Sequence, residues 1–435
     1  MQVPPNDRDV TDDRQEADTR PAPDGVITPA MDRHNGRIVI LSAFLHYLAA
    51  PVIYVGIVQA ALCDRLGASV TVSNLPSSGY LLASVAPILL SWIVPHRRVR
   101  ATVVTASLLT GLVLFLVLLI LLFPFQDSTR LWVVVVAALA QGLSSNVAHV
   151  YSFQCMKRGT TTEGRARALK WAFSLSPLAG VVGSFWAQYV LGGGIENLLF
   201  PHDFAILYLT GIPCMVAIAI LNSRYQMVAV KEESQPPLLP YLWRSIRSYW
   251  SVRILLIAWF AYLFWYLTLN AMPNLTLYAR EALGREPQEL SGWMMALRFG
   301  FKCLGGLLLG IISVRWGGRA PLFACVGLVG AAVLWAWLVP GHLYLLAFGI
   351  MGAGELGGVY FPNYIISISS AAAATRNLAI HSLVSPLSSI GPALHGGLAD
   401  LYGFPASFSF GLTASILALI LVLGLSSKPT SEMAK

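Results

Sequence analysis

Twelve runs of mostly apolar residues, divided by short polar turns, dominate the chain from residue 38 to residue 426. They lie near 38–63, 75–95, 101–124, 131–155, 168–191, 203–223, 253–277, 290–313, 320–339, 343–368, 377–398 and 405–426. A helix needs roughly 20 such residues to cross the hydrocarbon of a bilayer, and most of the runs are long enough. Inside lipid every backbone N–H and C=O must find a partner within the protein, which leaves helices or closed barrels. Continuous apolar runs of this length, without strand-like alternation, predict helices.

Composition agrees with a lipid solvent: 56% of residues are hydrophobic and 11% charged, less than half the usual charge content of a soluble domain, about 25%. The net charge of +8 is no nucleic-acid signal, because the basic residues stand in small clusters between apolar runs. Cys63, Cys155, Cys214, Cys303 and Cys325 are scattered, with no CxxC spacing, which argues against a disulfide framework or a zinc site. No metal and no cofactor is expected. Neither HExxH, a P-loop nor a GxSxG elbow is present, so nothing points to an enzyme.

Residues 1–36 read as a polar, proline-rich disordered tail, without the charged start, short apolar core and cleavage site of a secretory signal. Counting Lys and Arg gives 23 at one set of turns and termini, four at the other (Arg65, Arg130, Arg280, Arg285), and two inside a run. The positive-inside rule then predicts a multi-pass protein of the cell (inner or plasma) membrane with both termini cytoplasmic. Residues 225–252 form the longest inner connection, and its stretch PYLWRSIRSYWSVR suits a short interfacial helix; a solvated linker is the competing reading. The expected organisation is a bundle over 37–224, this linker, a bundle over 253–426 and a cytoplasmic tail, 427–435.

The two bundles repeat one another. A shift of 209 residues places Arg167 on Arg376, Ser176-Pro177-Leu178 on Ser385-Pro386-Leu387, Val150-Tyr151 on Val359-Tyr360, and Asn146 opposite Glu355. A shared offset across neighbouring runs argues for duplication. The inner turns holding Arg97, Arg98 and Arg100, and Gly310, Arg315, Gly317 and Arg319, match more weakly. With these features the chain resembles the major facilitator superfamily over nearly its whole length after the tail. That family's inner-loop signature is Gly-x-x-x-Asp-Arg-x-Gly-Arg-Arg; here Val314 and Pro95 stand where the acid belongs, so the closing contact that acid commonly makes is in question. The resemblance implies an all-α membrane protein of twelve transmembrane helices in two pseudo-symmetric six-helix bundles, with helices one, four, seven and ten around a central cavity.

Ionisable residues at bilayer depth single out the functional candidates. Glu355 lies in the glycine-dense tenth run, and Arg298 and Lys302 stand four residues apart in the eighth, on one helical face. A charge at that depth costs roughly 2.5–3.5 kcal/mol on the lenient scale, so it is kept facing protein or water. At least one cation is expected to pair with Glu355, leaving a net positive centre suited to an anion. The competing readings are a permanent salt bridge and a gating role. His46 and Tyr54 in the first run, Asn146 in the fourth, Trp265, Tyr266 and Asn270 in the seventh, and Tyr360 in the tenth are the polar and aromatic candidates for substrate contact. For the two histidines His46 and His149, hydrogen-bonded packing is the simpler alternative. The small residues Gly349, Ala353 and Gly357 read as close-packing surface.

The expected function is secondary active transport, by alternating access, of a small organic and anionic solute, with protons on Glu355 as the candidate coupling ion and the chain working as a monomer. Sodium coupling, facilitation, a sugar or drug exporter, and a non-transporting assembly or sensor protein of the same shape all stay open. Direction is not legible.

Overall fold

The computed structural model describes residues 27–229, 237–370 and 373–426; most of the predicted first tail, part of the linker and all of the predicted tail over 427–435 lie outside them. Every predicted run falls on one helix or on a series of two or three helical pieces. The first half comprises α1 (Pro29–Leu48), α2 (Ala50–Ile53), α3 (Val58–Arg65), α4 (Val70–Leu82), α5 (Ala86–Ile93), α6 (Val99–Leu122), α7 (Asp127–Gly159), α8 (Thr162–Leu191) and α9 (His202–Ser223). After α10 (Leu238–Trp250) come α11 (Arg253–Leu269), α12 (Met272–Leu283), α13 (Pro287–Trp316), α14 (Arg319–Leu338), α15 (Leu346–Gly354), α16 (Gly357–Ile368), α17 (Ala374–Ser382), α18 (Val384–Leu387), α19 (Ile390–Tyr402) and α20 (Phe404–Leu423). Among the described residues, eight helical segments are long and apolar enough to cross a membrane by length and composition.

The first helix starts earlier than hydropathy places it, at Pro29 rather than near residue 38. Thr28 caps it, its hydroxyl accepting from the Met31 N–H at 3.2 Å, and Pro29 occupies the first helical position, where a missing N–H costs nothing. Residues 29–36, expected in the disordered tail, are therefore helical. Polar contacts hold them: Asn35, fully buried, donates to the carbonyls of Gly159 and Gln226, both at 2.7 Å, and Asp32 accepts from the Thr161 N–H at 2.9 Å. An apolar count has no means of registering such anchoring.

Each half fastens its own last helix in the same way. Arg100, at the start of α6, donates to the Tyr225 carbonyl just beyond α9 at 3.1 Å. Arg319, at the start of α14, donates to the carbonyls of Leu423 and Leu425 at the end of α20, at 3.2 and 3.1 Å. Cationic groups at helix C-termini satisfy orphan carbonyls and complement the helix dipole. The related turns thus do related work. Gly317 ends α13 with a φ of 78°; Arg315, Arg97 and Arg98 are exposed, and Gly310 has open space at its Cβ position.

The linker helix α10 is not merely laid on a surface. Tyr249 is fully buried, its hydroxyl 3.1 Å from Nδ1 of His381 on α17, while Trp243 and Leu239 stay 69% and 77% exposed.

The two halves meet along α8 against α13 and α4 against α19. Polar bonds between them gather at the end of the molecule opposite the chain termini. Arg280 of α12 pairs with Asp64 of α3 at 2.7 Å, and Asp400 of α19 accepts from the N–H groups of Val70 and Thr71 at 3.0 and 2.8 Å. Asn74 donates to Asn274 at 2.7 Å, Thr276 to the Gly56 carbonyl at 3.2 Å, and Gln188 to the Glu289 carbonyl at 2.7 Å.

Candidate functional site

Glu355 sits where the tenth predicted helix breaks, between α15 and α16. Around it the backbone tightens to i→i+3 bonds: Leu356 N–H to Ala353 C=O at 3.3 Å, Gly358 to Glu355 at 3.0 Å, Val359 to Leu356 at 2.8 Å. Such a turn turns a side chain off the regular face of the helix. The glycines permit the approach of neighbours: a Cβ on Gly352 would stand 2.1 Å from the Arg298 carbonyl, and one on Gly357 would stand 2.6 Å from the Trp265 ring. The close-packing reading of this stretch matches that geometry.

Arg298 and Lys302 of α13 both reach the one acid. Arg298 Nε lies 2.5 Å from Oε1 of Glu355 and Lys302 Nζ 2.8 Å from Oε2. The side chains are 10%, 15% and 5% exposed for Arg298, Lys302 and Glu355. Pairing offsets part of the cost of burying three charges, yet the group keeps one net positive charge. Arg298 Nη1 is buried and without a hydrogen-bond partner among the described residues. The guanidinium carbon also stands 5.7 Å from the ring centroid of Tyr54, and Lys302 Nζ 5.9 Å from it. Tyr54 belongs to the first half, so the trio faces across the join, with a cation–π contact as the bridge.

Tyr54 also lines a cavity of about 210 Å³ within the first half. His46 and Tyr47 of α1, Ser145 and His149 of α7, and Ser107 of α6 contribute to its wall, with Met215 and Asn222 of α9 behind. The structure therefore brings together Arg298, Lys302, Glu355 and Tyr54, with His46 beside the tyrosine at a ring separation of 5.9 Å.

Other candidates stand elsewhere. Trp265 is 1% exposed, donates Nε1–H to the Gly354 carbonyl at 3.2 Å and stacks on Tyr262; it props the broken helix from behind. Asn270 donates to the Ser388 carbonyl at 2.9 Å inside the second half. Both were expected at the cavity because they sit mid-run, but their side chains turn into the second half's own core. Asn146 folds back on the Gly142 carbonyl of its own helix at 2.8 Å, and Tyr360 packs against the second-half core. Tyr266 keeps its hydroxyl 3.5 Å from that of Tyr262.

Sequence reasoning missed the hydroxyl groups on α6 and the share of α9. Asn222 donates to Ser107 at 3.3 Å, and the Thr110 and Ser144 hydroxyl oxygens lie 2.8 Å apart. Serine and threonine are common in membrane helices as local back-bonding groups, so only Asn222, an amide near the end of an apolar run, carried a usable signal.

No family model and no curated sequence matches the chain. Its fold matches solved structures at low identity. A D-xylose–proton symporter superposes with a TM-score of 0.67 at 11% identity, over 91% of this chain and 98% of that one. A mutant peptide transporter in complex with sulfate gives 0.63 at 14%, over 89% and 93%. A bacterial homologue of the human lysosomal transporter Spinster, inward-facing and unoccupied, gives 0.59 at 13%, over 92% and 95%. The chain has the fold of these major facilitator-type transporters.

Proposed function

We propose that this protein is a secondary transporter of a small organic anion, with Glu355 as the proton-coupling group and Arg298 as the anion-holding group. The observation that carries the reading is the Arg298 guanidinium. It spends Nε on Glu355 and keeps a buried N–H without a partner, in a cluster with one positive charge in excess. A buried unmet donor is costly, and an anion answers both the charge and the donor.

The coupling follows from the shared acid. Protonation of Glu355 removes its hold on Arg298 and Lys302 and strengthens their attraction for an incoming carboxylate or phosphate ester. Deprotonation restores the trio and releases the anion. Arg298 offers directed, planar donors and Lys302 a point charge. The halves are joined at the end opposite the termini; with the termini in the cytoplasm, as the positive-inside rule predicts, this conformation would open inward.

A second reading rests on the same contacts: with both cations on Glu355, the trio serves as a fixed brace between α13 and α15. Purified protein in liposomes on a solid-supported membrane separates the two. Coupled anion transport produces a charge or proton flux on addition of the anion that Glu355→Gln abolishes. A brace predicts that the variant loses stability while any flux of folded protein is unchanged.

A further inference from the structure

We infer that the transported anion carries a compact, hydroxylated ring, and that this neutral body sits in the first-half cavity against His46 and His149 while its acid group is on Arg298. The inference rests on the anion reading above and adds the class of the solute.

The cavity wall contains no Asp, Glu, Lys or Arg among the described residues, so it suits an uncharged portion of a molecule. Most of its polar groups are spent locally. Asn222 donates to Ser107, Thr110 to the Ala106 carbonyl, and Ser152 to the His149 carbonyl. The two imidazoles differ. They pack edge-on to aromatic rings, His46 to Tyr54 at 5.9 Å and His149 to Phe153 at 4.9 Å. Among the described residues no hydrogen bond engages a ring nitrogen of either. An uncharged imidazole donates from one nitrogen and accepts at the other. That pairing matches a hydroxyl group, which also does both; an ether or an alkyl group answers half of it or none.

Size and placement complete the description. The cavity of about 210 Å³ is the space of roughly seven waters at ~30 Å³ each, enough for one substituted ring. Tyr54 is shared by the two parts: it lines the cavity, and its ring is 5.7 Å from the Arg298 guanidinium carbon and 5.9 Å from the His46 ring. A ring lying against Tyr54 would therefore adjoin both the Arg298 guanidinium and the His46 imidazole, and the aromatic walls of Tyr47 and Tyr54 suit its apolar face.

The test uses the full chain in detergent, with thermal midpoints titrated against glucuronate, quinate and glucose 6-phosphate, and against glucose and cyclohexanecarboxylate as partial ligands. At least one hydroxylated ring acid is expected to bind about tenfold or more tighter than either partial ligand. His46→Ala and His149→Ala should each weaken that acid about tenfold and leave cyclohexanecarboxylate unchanged, with the Asn variants recovering part of the loss. A monodisperse elution profile serves as the check that each variant is folded. Equal binding of hydroxylated and bare ring acids, or histidine variants that bind as wild type while Arg298→Ala loses every acid, overturns this inference and leaves the anion reading standing. Glucose binding as well as glucuronate, with Arg298→Ala without effect, overturns both. A panel in which no hydroxylated acid shifts the midpoint overturns the class assigned here.

Discussion

Asp400 of α19 accepts both the backbone N–H and the hydroxyl of Thr71, at 2.8 and 2.5 Å, so a carboxylate from one half caps the first turn of a helix in the other. A helix N-terminus leaves N–H groups unmet and favours negative charge. The cap is available only while the halves are joined at this end, so it stabilises one conformation over the other.

Asp400→Ala should therefore open that end. Loss of an N-cap costs about 1 kcal/mol, which shifts a two-state equilibrium roughly fivefold. Spin labels at Asn197 and Arg285, on loops of different halves, should show a longer-distance population that grows in the variant. An unchanged distance distribution would mean that Asp400 has no part in closure.

Glu355→Gln should separate coupling from translocation. Uphill uptake in liposomes is expected to disappear while counterflow exchange persists. The folded protein should also lose thermal stability, because removing one partner from a buried ion cluster costs about 3–5 kcal/mol. Full concentrative uptake by this variant would remove the coupling proposal.

Gly352→Val should break the site without touching an ionisable group. Its Cβ would meet the Arg298 carbonyl at 2.1 Å, forcing α15 away from α13, and overpacking of this kind costs roughly 1–3 kcal/mol. Gly306 lies on α13 with no atom within 4 Å of its Cβ position, so Gly306→Ala should be close to neutral. Thermal midpoints of the two variants measured together check the contrast.

A pH effect is expected at the loop before α13. The hydrogen bond from Arg280 holds the Glu286 carboxyl below its ordinary value, against a smaller opposing effect of burial. A lowered value in the folded state means that the stabilisation is present above the ordinary carboxylate range and is lost as pH falls through the lowered value. The difference in thermal midpoint between wild type and Glu286→Gln should be present at neutral pH and vanish in acid. A difference that persists there would assign the effect to something other than charge.

Hydropathy was enough to place the helices of the apolar runs, because burial in lipid leaves its mark on each position of a run; α10 lies outside those runs and showed only in its amphipathic pattern. That Glu355 pairs with at least one of the two cations was also legible: three charges at bilayer depth have few partners to choose from. That both cations share the acid was not, since it depends on the break after Gly354 and on the closeness that Gly352 allows. Trp265 and Asn270 show the limit most plainly. Their depth was readable, but the direction of a side chain around a helix axis is set by packing partners, and here those partners lie within the second half. The helical start at Pro29 escaped for the opposite reason, being held by Asn35 and Asp32 rather than by apolar area.

The matching clasps made by Arg100 and Arg319 bear on how the chain reaches its native state. Each ties the opening of a half's third crossing to the close of its sixth, using only residues from that half. The first six crossings can thus knot off their own loose end while the remainder is still being synthesised, in keeping with the tendency of such units to fold in order of emergence. What the second six must then find is a finished neighbour, and the search left to them is a docking of two completed bodies rather than a threading of one through the other.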